Sequence, residues 1–477
     1  MKYVSTRGEA PSLSFEGALL AGLARDGGLY MPETWPHFSE KEIAGLAGLD
    51  YIDVAERVIR PFLEDDPCLD DLREVLEEAY AGFDHPAVTP LKQITPKLWI
   101  LELFHGPTLA FKDLAMQVVA RLMDRALIRK GGRATVLGAT SGDTGAAAID
   151  AFRGRKAIDV VILHPKGRVT EIQRRQMTTV DDPNVHNIAL EGTFDDCQAI
   201  VKALFNDLPL RDRLHLTGVN SINWARIVAQ TVYYFTSAVA LGAPWRPVSY
   251  TVPTGNFGDI FAGYVAQQMG LPIQRLVIAT NANDSLPRAF ATGIYEPKTV
   301  IATSSPSMDI QLASNFERLM FELVDRNVGR VKELMTELQD TGKLTMTPDE
   351  LTKLKEVFGA YSISEEETQE TIARVYRKTG VLTDPHTAVA IGSALDERRA
   401  LDQGNTTTPM VILSTADAAK FPETVERATG RVPEQPQRLK DRLGETERCT
   451  SLPADYQTVA DFISKHSRAG QGEEVDA

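Results

Sequence analysis

The sequence has few cysteines and no long apolar run, and both absences narrow its class. Cys68, Cys197 and Cys449 are far apart, are odd in number and form no C-x-x-C pair, so neither a disulfide framework nor a zinc site is predicted. No run of about 18 uncharged apolar residues occurs, and the start, Met1 to Arg7, does not resemble a signal peptide. We therefore expect a cytoplasmic protein in a reducing compartment, without a membrane partner.

An excess of positive charge is also missing. The chain has 51 Lys and Arg residues against 65 Asp and Glu residues, which gives a formal net charge of −14, and it contains no basic patch. Such a balance repels nucleic acid and anionic membranes, so we expect neither as a partner. An anionic substrate would need a pocket that a few cationic side chains and helix N-termini make locally positive.

What the sequence does contain is the pattern of an α/β protein. Its 477 residues suggest roughly two to four domains or lobes. Residues 1–95 carry short amphipathic helical patterns and predict a helical N-terminal domain. In residues 96–430 strand-like apolar runs alternate with helical periods, which indicates a largely parallel sheet covered by helices. Residues 431–477 are interpreted as a C-terminal extension.

Two stretches of residues 96–430 show the alternation best, each as a strand, a glycine-rich turn, a helix and a second strand. The first comprises Ala134–Thr140, Ser141–Gly145, Ala146–Phe152 and Ile158–Leu163. The second comprises Val248–Pro253, Gly255–Asp259, Ile260–Met269 and Leu276–Thr280. We expect them in two lobes, the smaller at about 115–225, with a charged helical insertion at about 302–370. Because ligands of parallel sheets bind beyond the carboxyl ends of the strands, both turns are candidate anion sites.

Lys112 is the candidate for covalent chemistry. It follows the apolar, turn-rich segment His105–Phe111 and begins a strongly periodic helix. A primary amine can hold an aldehyde cofactor as a Schiff base and can then move protons. The alternative is a lysine that neighbours Asp113 on a solvated helix end, but the apolar segment before Lys112 is an unusual setting for that.

Three strings together resemble the threonine synthase family: Glu102–Asp113, Ser141–Gly145 and Gly255–Asp259. The resemblance extends to residues 26–30, 307–311 and 314–318 and covers most of the chain. It implies a pyridoxal-phosphate (PLP) lyase with the tryptophan-synthase-like fold (fold type II), in which two αβα lobes follow a helical N-terminal domain. It also implies conversion of O-phospho-L-homoserine into threonine and phosphate. We expect a monomer or a homodimer.

The resemblance implies that Lys112 is the Schiff-base residue and that two strand ends hold the cofactor. The turn at 255–259 would bind the cofactor phosphate through backbone N–H groups, and Thr415, after a predicted strand at Pro409–Leu413, would place a hydroxyl at the pyridine nitrogen. Asp143 would lie near the phenolic oxygen of the cofactor, at a position where the wider superfamily commonly has Asn. The alternative role for Asp143 is a helix N-cap. The full predicted cofactor set is Lys112, Asp143, Gly255, Asn256, Phe257, Gly258, Asp259 and Thr415.

The resemblance also implies two substrate-binding segments. Ser141, Gly142 and Thr144 would hold the α-carboxylate. Asn220, Ser221 and Arg226 would hold the substrate phosphate, with Arg226 binding it bidentately; a structural ion pair is the alternative for this arginine. No metal site is expected.

Two features leave details open. The chain has Asp417-Ala418 where many family members have His-Pro, and the sequence does not predict what these two residues contact. His386 lies in a string that matches the family, but it is equally explained as a helix-start residue and is not assigned to catalysis. Rival functions are a phospholyase that gives 2-oxobutyrate, an O-acyl- or O-phosphoserine sulfhydrylase, and a PLP-carrying protein without catalysis.

Overall fold

The computed structural model describes residues 1–140, 142–218, 221–401 and 407–471. Two predicted substrate residues, Ser141 and Asn220, lie outside these ranges. The strands of the described part are β1 (Tyr3–Ser5), β2 (Tyr30–Pro32), β3 (Leu91–Thr95), β4 (Leu98–Glu102), β5 (Ala134–Ala139), β6 (Ile158–Pro165), β7 (Val185–Glu191), β8 (Leu216–Gly218), β9 (Val248–Pro253), β10 (Ile273–Thr280), β11 (Ile294–Tyr295), β12 (Leu344–Thr345), β13 (Phe358–Ser362), β14 (Met410–Ser414) and β15 (Thr450–Pro453).

The α-helices of the same ranges cover the two larger sheets and build the N-terminal region. They are α1 (Phe15–Ala21), α2 (Glu40–Ala44), α3 (Tyr51–Ile59), α4 (Cys68–Tyr80), α5 (Lys112–Arg129), α6 (Asp143–Phe152), α7 (Glu171–Thr178), α8 (Phe194–Asn206), α9 (Leu208–Arg213), α10 (Trp224–Ala240), α11 (Gly258–Gln268), α12 (Ser285–Thr292), α13 (Phe316–Leu323), α14 (Val328–Thr341), α15 (Pro348–Val357), α16 (Glu365–Thr379), α17 (Pro385–Leu401), α18 (Pro422–Thr429), α19 (Gln437–Leu443) and α20 (Tyr456–His466).

The N-terminal region is helical, as predicted. Helices α1 to α4 surround the short antiparallel pair β1 and β2, and their apolar faces join the main core of the molecule. A partly buried ion pair fixes this region to the rest of the chain, because Arg7 and Thr6 both donate to the Glu317 carboxylate on α13.

The larger lobe contains a six-stranded sheet in the order β13-β10-β9-β14-β4-β3. Its strands are parallel except β3, which runs antiparallel to β4. All six residues of β9 are buried, as expected for a strand covered by helices on both faces. Residues 358–362 are a correction to the prediction, because they form the edge strand β13 within the stretch 302–370 that was interpreted as helical.

The smaller lobe contains a five-stranded parallel sheet in the order β15-β7-β6-β5-β8. Strand β15 comes from the predicted C-terminal extension and adds to the edge of β7, which the sequence did not indicate. Both predicted strand-turn-helix units are confirmed: α6 follows β5, and α11 follows β9. The two glycine-rich turns therefore lie at the carboxyl ends of parallel strands in different lobes.

A helix needs both length and apolar character to cross a bilayer. Within residues 1–140, 142–218, 221–401 and 407–471, no helix combines the length and the apolar character that a crossing requires.

Candidate active site

Lys112 is the first residue of α5 and is buried, with 9% of its surface exposed. The segment before it is fixed to the chain that follows β14. Phe111 N–H donates to the Thr415 carbonyl at 2.9 Å, and Asp417 N–H donates to the Leu109 carbonyl at 3.1 Å. These two hydrogen bonds place the start of α5 beside the chain that follows β14.

The surroundings of Lys112 favour a reactive amine. Its pKa is lowered to about 8, chiefly by burial and also by the charges of Lys420 and Arg226, while the Asp143 carboxylate acts in the opposite direction. The Nζ atom lies 3.9 Å from Asp143 Oδ2. Because only the neutral amine is nucleophilic, a pKa near 8 leaves a useful neutral fraction at physiological pH.

Asp143 is buried at the start of α6 and lies at the centre of a polar network. Its Oδ1 accepts from Gln173 Nε2 at 2.9 Å and pairs with Lys420 Nζ at 2.7 Å, and its Oδ2 accepts from Ser307 Oγ at 3.2 Å. Burial alone would raise its pKa, but Lys420 and Lys112 hold it well below its usual range. The helix N-cap alternative for Asp143 is wrong, because Gly142 occupies the cap position.

Gly142 has a backbone conformation that other residues rarely adopt, with φ at +147°. The Thr140 hydroxyl accepts from the N–H groups of both Gly142 and Gly145, at 3.0 and 2.9 Å. A side chain at Gly142 would lie 2.3 Å from the Gln173 side chain. The turn is therefore tightly packed on its inner face, and Thr144 lies half-buried on the first turn of α6.

The second turn leads into α11 and depends on two glycines. Phe257 has φ at +65° and packs its ring between Phe316 and Phe358. A Cβ atom on Gly255 would lie 2.8 Å from the Ser307 carbonyl oxygen, and one on Gly258 would lie 3.3 Å from Asn315 Nδ2. The first N–H groups of a helix have no intrahelical acceptor, so this turn offers donors that could hold an anion.

The side chains of this second turn point in different directions. Asn256 is exposed, and its Oδ1 accepts from Ser314 Oγ at 3.2 Å. The Asp259 carboxylate turns away to α10, where it accepts from the Tyr233 and Tyr234 hydroxyls. Asp259 is thus placed to contribute its backbone N–H rather than its side chain.

Arg226 and Ser221 come from the start of α10 and the loop before it. Arg226 is buried, and burial lowers its pKa to about 10. Its charge acts on Lys112, as noted above. Ser221 is half-buried and accepts from Asn315 Nδ2 at 3.3 Å through its hydroxyl oxygen. The structure therefore places a guanidinium near the lysine and a hydroxyl beside the second turn.

Comparison with known proteins decides the family. Family models match three regions: the threonine synthase N terminus at residues 2–80, pyridoxal-phosphate dependent enzyme at residues 83–338, and the threonine synthase C-terminal region at residues 387–463. The chain belongs to the threonine synthase family.

Relatives of the family match along nearly the whole chain. A threonine synthase of Pseudomonas aeruginosa is 51% identical over 472 residues, which are 99% of this chain and 100% of that protein. The crystal structure of PLP-bound threonine synthase from Brucella melitensis has a TM-score of 0.94 at 52% identity and covers 98% of this chain and 100% of that chain. The yeast threonine synthase structure has a TM-score of 0.91 at 39% identity and covers 98% of each chain.

The site of this family member fits pyridoxal phosphate. The turn between Gly255 and Gly258 has no room for a Cβ atom at Gly255, is tight for one at Gly258, and is rich in helix N-terminal N–H groups. The buried amine of Lys112 lies 3.9 Å from Asp143 of the other turn and acts electrostatically on Asp259 of this one. The expected fold, family and cofactor are thereby confirmed. The roles of the individual residues stay predictions.

The structure adds three residues that the sequence did not assign. Lys420 pairs with Asp143. Ser307 donates its hydroxyl to Asp143 and its N–H to His386 Nε2 at 3.2 Å, while His386 Nδ1 donates to Asp384 at 2.8 Å. Ser307 and His386 lie in strings that match the threonine synthase family, which was a usable signal, whereas Lys420 had none beyond its closeness to Asp417-Ala418.

Proposed function

We propose that this protein is a threonine synthase, which converts O-phospho-L-homoserine and water into L-threonine and phosphate with pyridoxal phosphate. The observation that carries the proposal is the buried amine of Lys112 at the start of α5, which lies 3.9 Å from Asp143 of the first turn and acts electrostatically on Asp259 of the second. The breadth of the relationship, at 51% identity over 99% of the chain, supports the same reaction.

When bound, pyridoxal phosphate supplies an electron sink that makes carbanions next to the substrate amine accessible. Lys112 holds the cofactor before the substrate arrives and then removes the α-proton as a neutral amine. Backbone N–H groups at residues 255–259 would hold the cofactor phosphate, and the Thr415 hydroxyl would meet the ring nitrogen. Asp143 remains ionised in the resting site because two lysines face it.

The substrate is held at both of its anionic ends. The turn at Gly142 and Thr144, with Ser141, binds the α-carboxylate. Arg226, with Ser221 and Asn220, binds the γ-phosphate and stabilises the charge that develops as it leaves. Binding at this remote phosphate helps to bring the lobes together and to exclude water until the last step, in which water adds at the β-carbon.

A product assay tests this proposal. The purified protein is incubated with pyridoxal phosphate and O-phospho-L-homoserine, and threonine, phosphate and 2-oxobutyrate are measured together. We expect threonine and phosphate in equal amounts. Phosphate with 2-oxobutyrate would show a phospholyase instead, and product formation only from O-acetylserine with sulfide would show a sulfhydrylase.

The setting of the enzyme is a further part of the proposal. We propose a cytoplasmic monomer or homodimer, divided at about residues 95 and 430. The three free thiols support a reducing compartment, with Cys68 and Cys197 buried and Cys449 exposed. The separate N-terminal match at residues 2–80 supports the first division, whereas the C-terminal match at residues 387–463 runs across the second.

A further inference from the structure

Asp143 lies between two buried lysines that come from different parts of the chain. Lys420 Nζ is 2.7 Å from Oδ1, and Lys112 Nζ is 3.9 Å from Oδ2. Lys420 belongs to the short 3-10 helix Ala418–Lys420 that follows β14. Its side chain is fully buried, and that of Asp143 is 3% exposed. The two charges are therefore shielded from solvent.

Lys420 also holds the segment that leads to Lys112. Its Nζ donates to the Thr108 carbonyl at 2.8 Å, and Thr108 in turn donates to Asp113 through its N–H and its hydroxyl. One ammonium group thus connects the end of β14, the loop before α5 and the start of α6. The orientation of Lys112 toward Asp143 depends on all three segments.

A buried ion pair of this kind contributes little net stability to a fold. Removing both ions from water often costs more than their attraction returns, and apolar residues of similar size commonly do as well. The position of the pair, beside the reactive amine, indicates a different use.

We infer that Lys420 is a positioning residue: it fixes the Asp143 carboxylate and offsets its charge, and so sets how tightly the Lys112 nitrogen holds its proton. This inference rests on the proposed role of Lys112 as the cofactor lysine. Lys420 acts through Asp143.

The other charged groups around the two lysines do not replace Lys420. Arg226 faces Lys112 from α10, and His386 faces Asp143 from α17. Two acids are also near Lys112, but burial raises the pKa of Asp113 and of Asp259 to about 7. Neither acid is fully charged near neutral pH, so Asp143 is the main anion that Lys112 meets and Lys420 is its closest cation.

Removing the Lys420 charge should raise the pH at which Lys112 becomes neutral. In Lys420→Met the Asp143 carboxylate loses its close cation, and Lys112 becomes its remaining lysine partner. A nearby carboxylate favours the protonated amine, and loss of a nearby cation does the same. Both changes raise the pH at which Lys112 becomes neutral.

The rate of cofactor capture reports that pH directly. The neutral Lys112 nitrogen attacks the aldehyde carbon of pyridoxal phosphate, a C=N bond replaces the C=O bond, and the carbonyl oxygen leaves as water with the two hydrogens of the amine. The full-length protein, stripped of cofactor, is mixed with pyridoxal phosphate at a series of pH values, and the imine absorbance is followed. We expect a midpoint near pH 8 for the unchanged protein.

Four variants separate charge from packing. We expect the midpoint of Lys420→Met to rise by about 1–2 pH units and that of Lys420→Arg to stay near the unchanged value. Asp143→Asn should move it in the opposite direction, because Lys420 then acts on Lys112 unopposed. Arg438→Met is the matched control. Arg438 donates to the Gly106 carbonyl of the same loop at 2.6 Å, but its carboxylate partner is Asp84 and not Asp143. This variant should leave the midpoint unchanged.

The outcomes are decisive. An unchanged midpoint in Lys420→Met, or an equal rise in Arg438→Met, overturns the inference. If Lys420→Met does not fold, Lys420→Gln takes its place, and an unchanged midpoint in that variant equally overturns the inference. The test does not depend on turnover. If the midpoints shift as predicted but no threonine is formed, only the proposed function is refuted. If the unchanged protein does not capture pyridoxal phosphate, the role of Lys112 is refuted.

Discussion

Lys112→Ala is expected to lower kcat/KM for O-phospho-L-homoserine by at least about 10³-fold, because one substitution removes both the covalent anchor of the cofactor and the base for the α-proton. The imine absorbance of the loaded protein should disappear. Phosphate release in the steady state measures the first effect, and the visible spectrum measures the second. The fold should persist, since the change shortens a single side chain at the start of α5.

The matched control is Lys130→Ala at the other end of the same helix. The Lys130 side chain is half-exposed and pairs with Glu16, in the N-terminal region, so turnover should stay within about twofold of the unchanged enzyme. Partial rescue of Lys112→Ala by added alkylamine would strengthen the assignment, because a small amine can replace the missing base. Turnover that survives in Lys112→Ala would show that another group carries the chemistry.

Gly142→Ala is expected to destabilise the protein by about 2–5 kcal/mol and to weaken binding at the active site, because two penalties add. The φ of +147° is strained for alanine, and the new methyl group would lie 2.3 Å from the side chain of Gln173. Gln173 donates to Asp143, so the displacement also disturbs the network around Lys112. Urea unfolding followed by circular dichroism gives the loss of stability, and the substrate KM gives the loss of binding.

Gly131→Ala isolates the backbone penalty from the packing penalty. Gly131 has φ at +62°, and a Cβ atom there would have nothing within 4 Å. We expect it to cost about 1 kcal/mol without any change in KM. Equal losses at the two positions would mean that backbone strain alone, and not the contact with Gln173, determines the effect at Gly142.

The parts of the structure that depend on local pattern could be predicted from the sequence. The strand at Val248–Pro253 was predicted with the bounds that the structure shows, because β-branched and aromatic residues predominate in it. Both glycine turns and the helix after Lys112 could be predicted from their local sequence in the same way. Turn chemistry and helical period are local properties, so these elements are visible in a single sequence.

The parts that depend on distant pairing could not be predicted. Strand β13 follows a charged helical stretch, and only its pairing with β10 makes it part of the sheet. Lys420 shows the same limitation in the site. It is 308 positions from Lys112 along the chain, and nothing in its neighbours indicates that its ammonium group reaches Asp143. The burial of a charge is a property of the assembled fold.

Because of strand β15, the sheet of the smaller lobe can be completed only late in synthesis. It pairs with β7, which the ribosome releases more than 200 residues earlier, and during that interval the edge of β7 has no partner from its own sheet. An unpaired edge is a template for association with other chains, and a contact between segments so far apart in sequence forms slowly. The newly made smaller lobe therefore passes through a period in which it is open to aggregation, and this period ends only when residues 450–453 emerge and close the sheet.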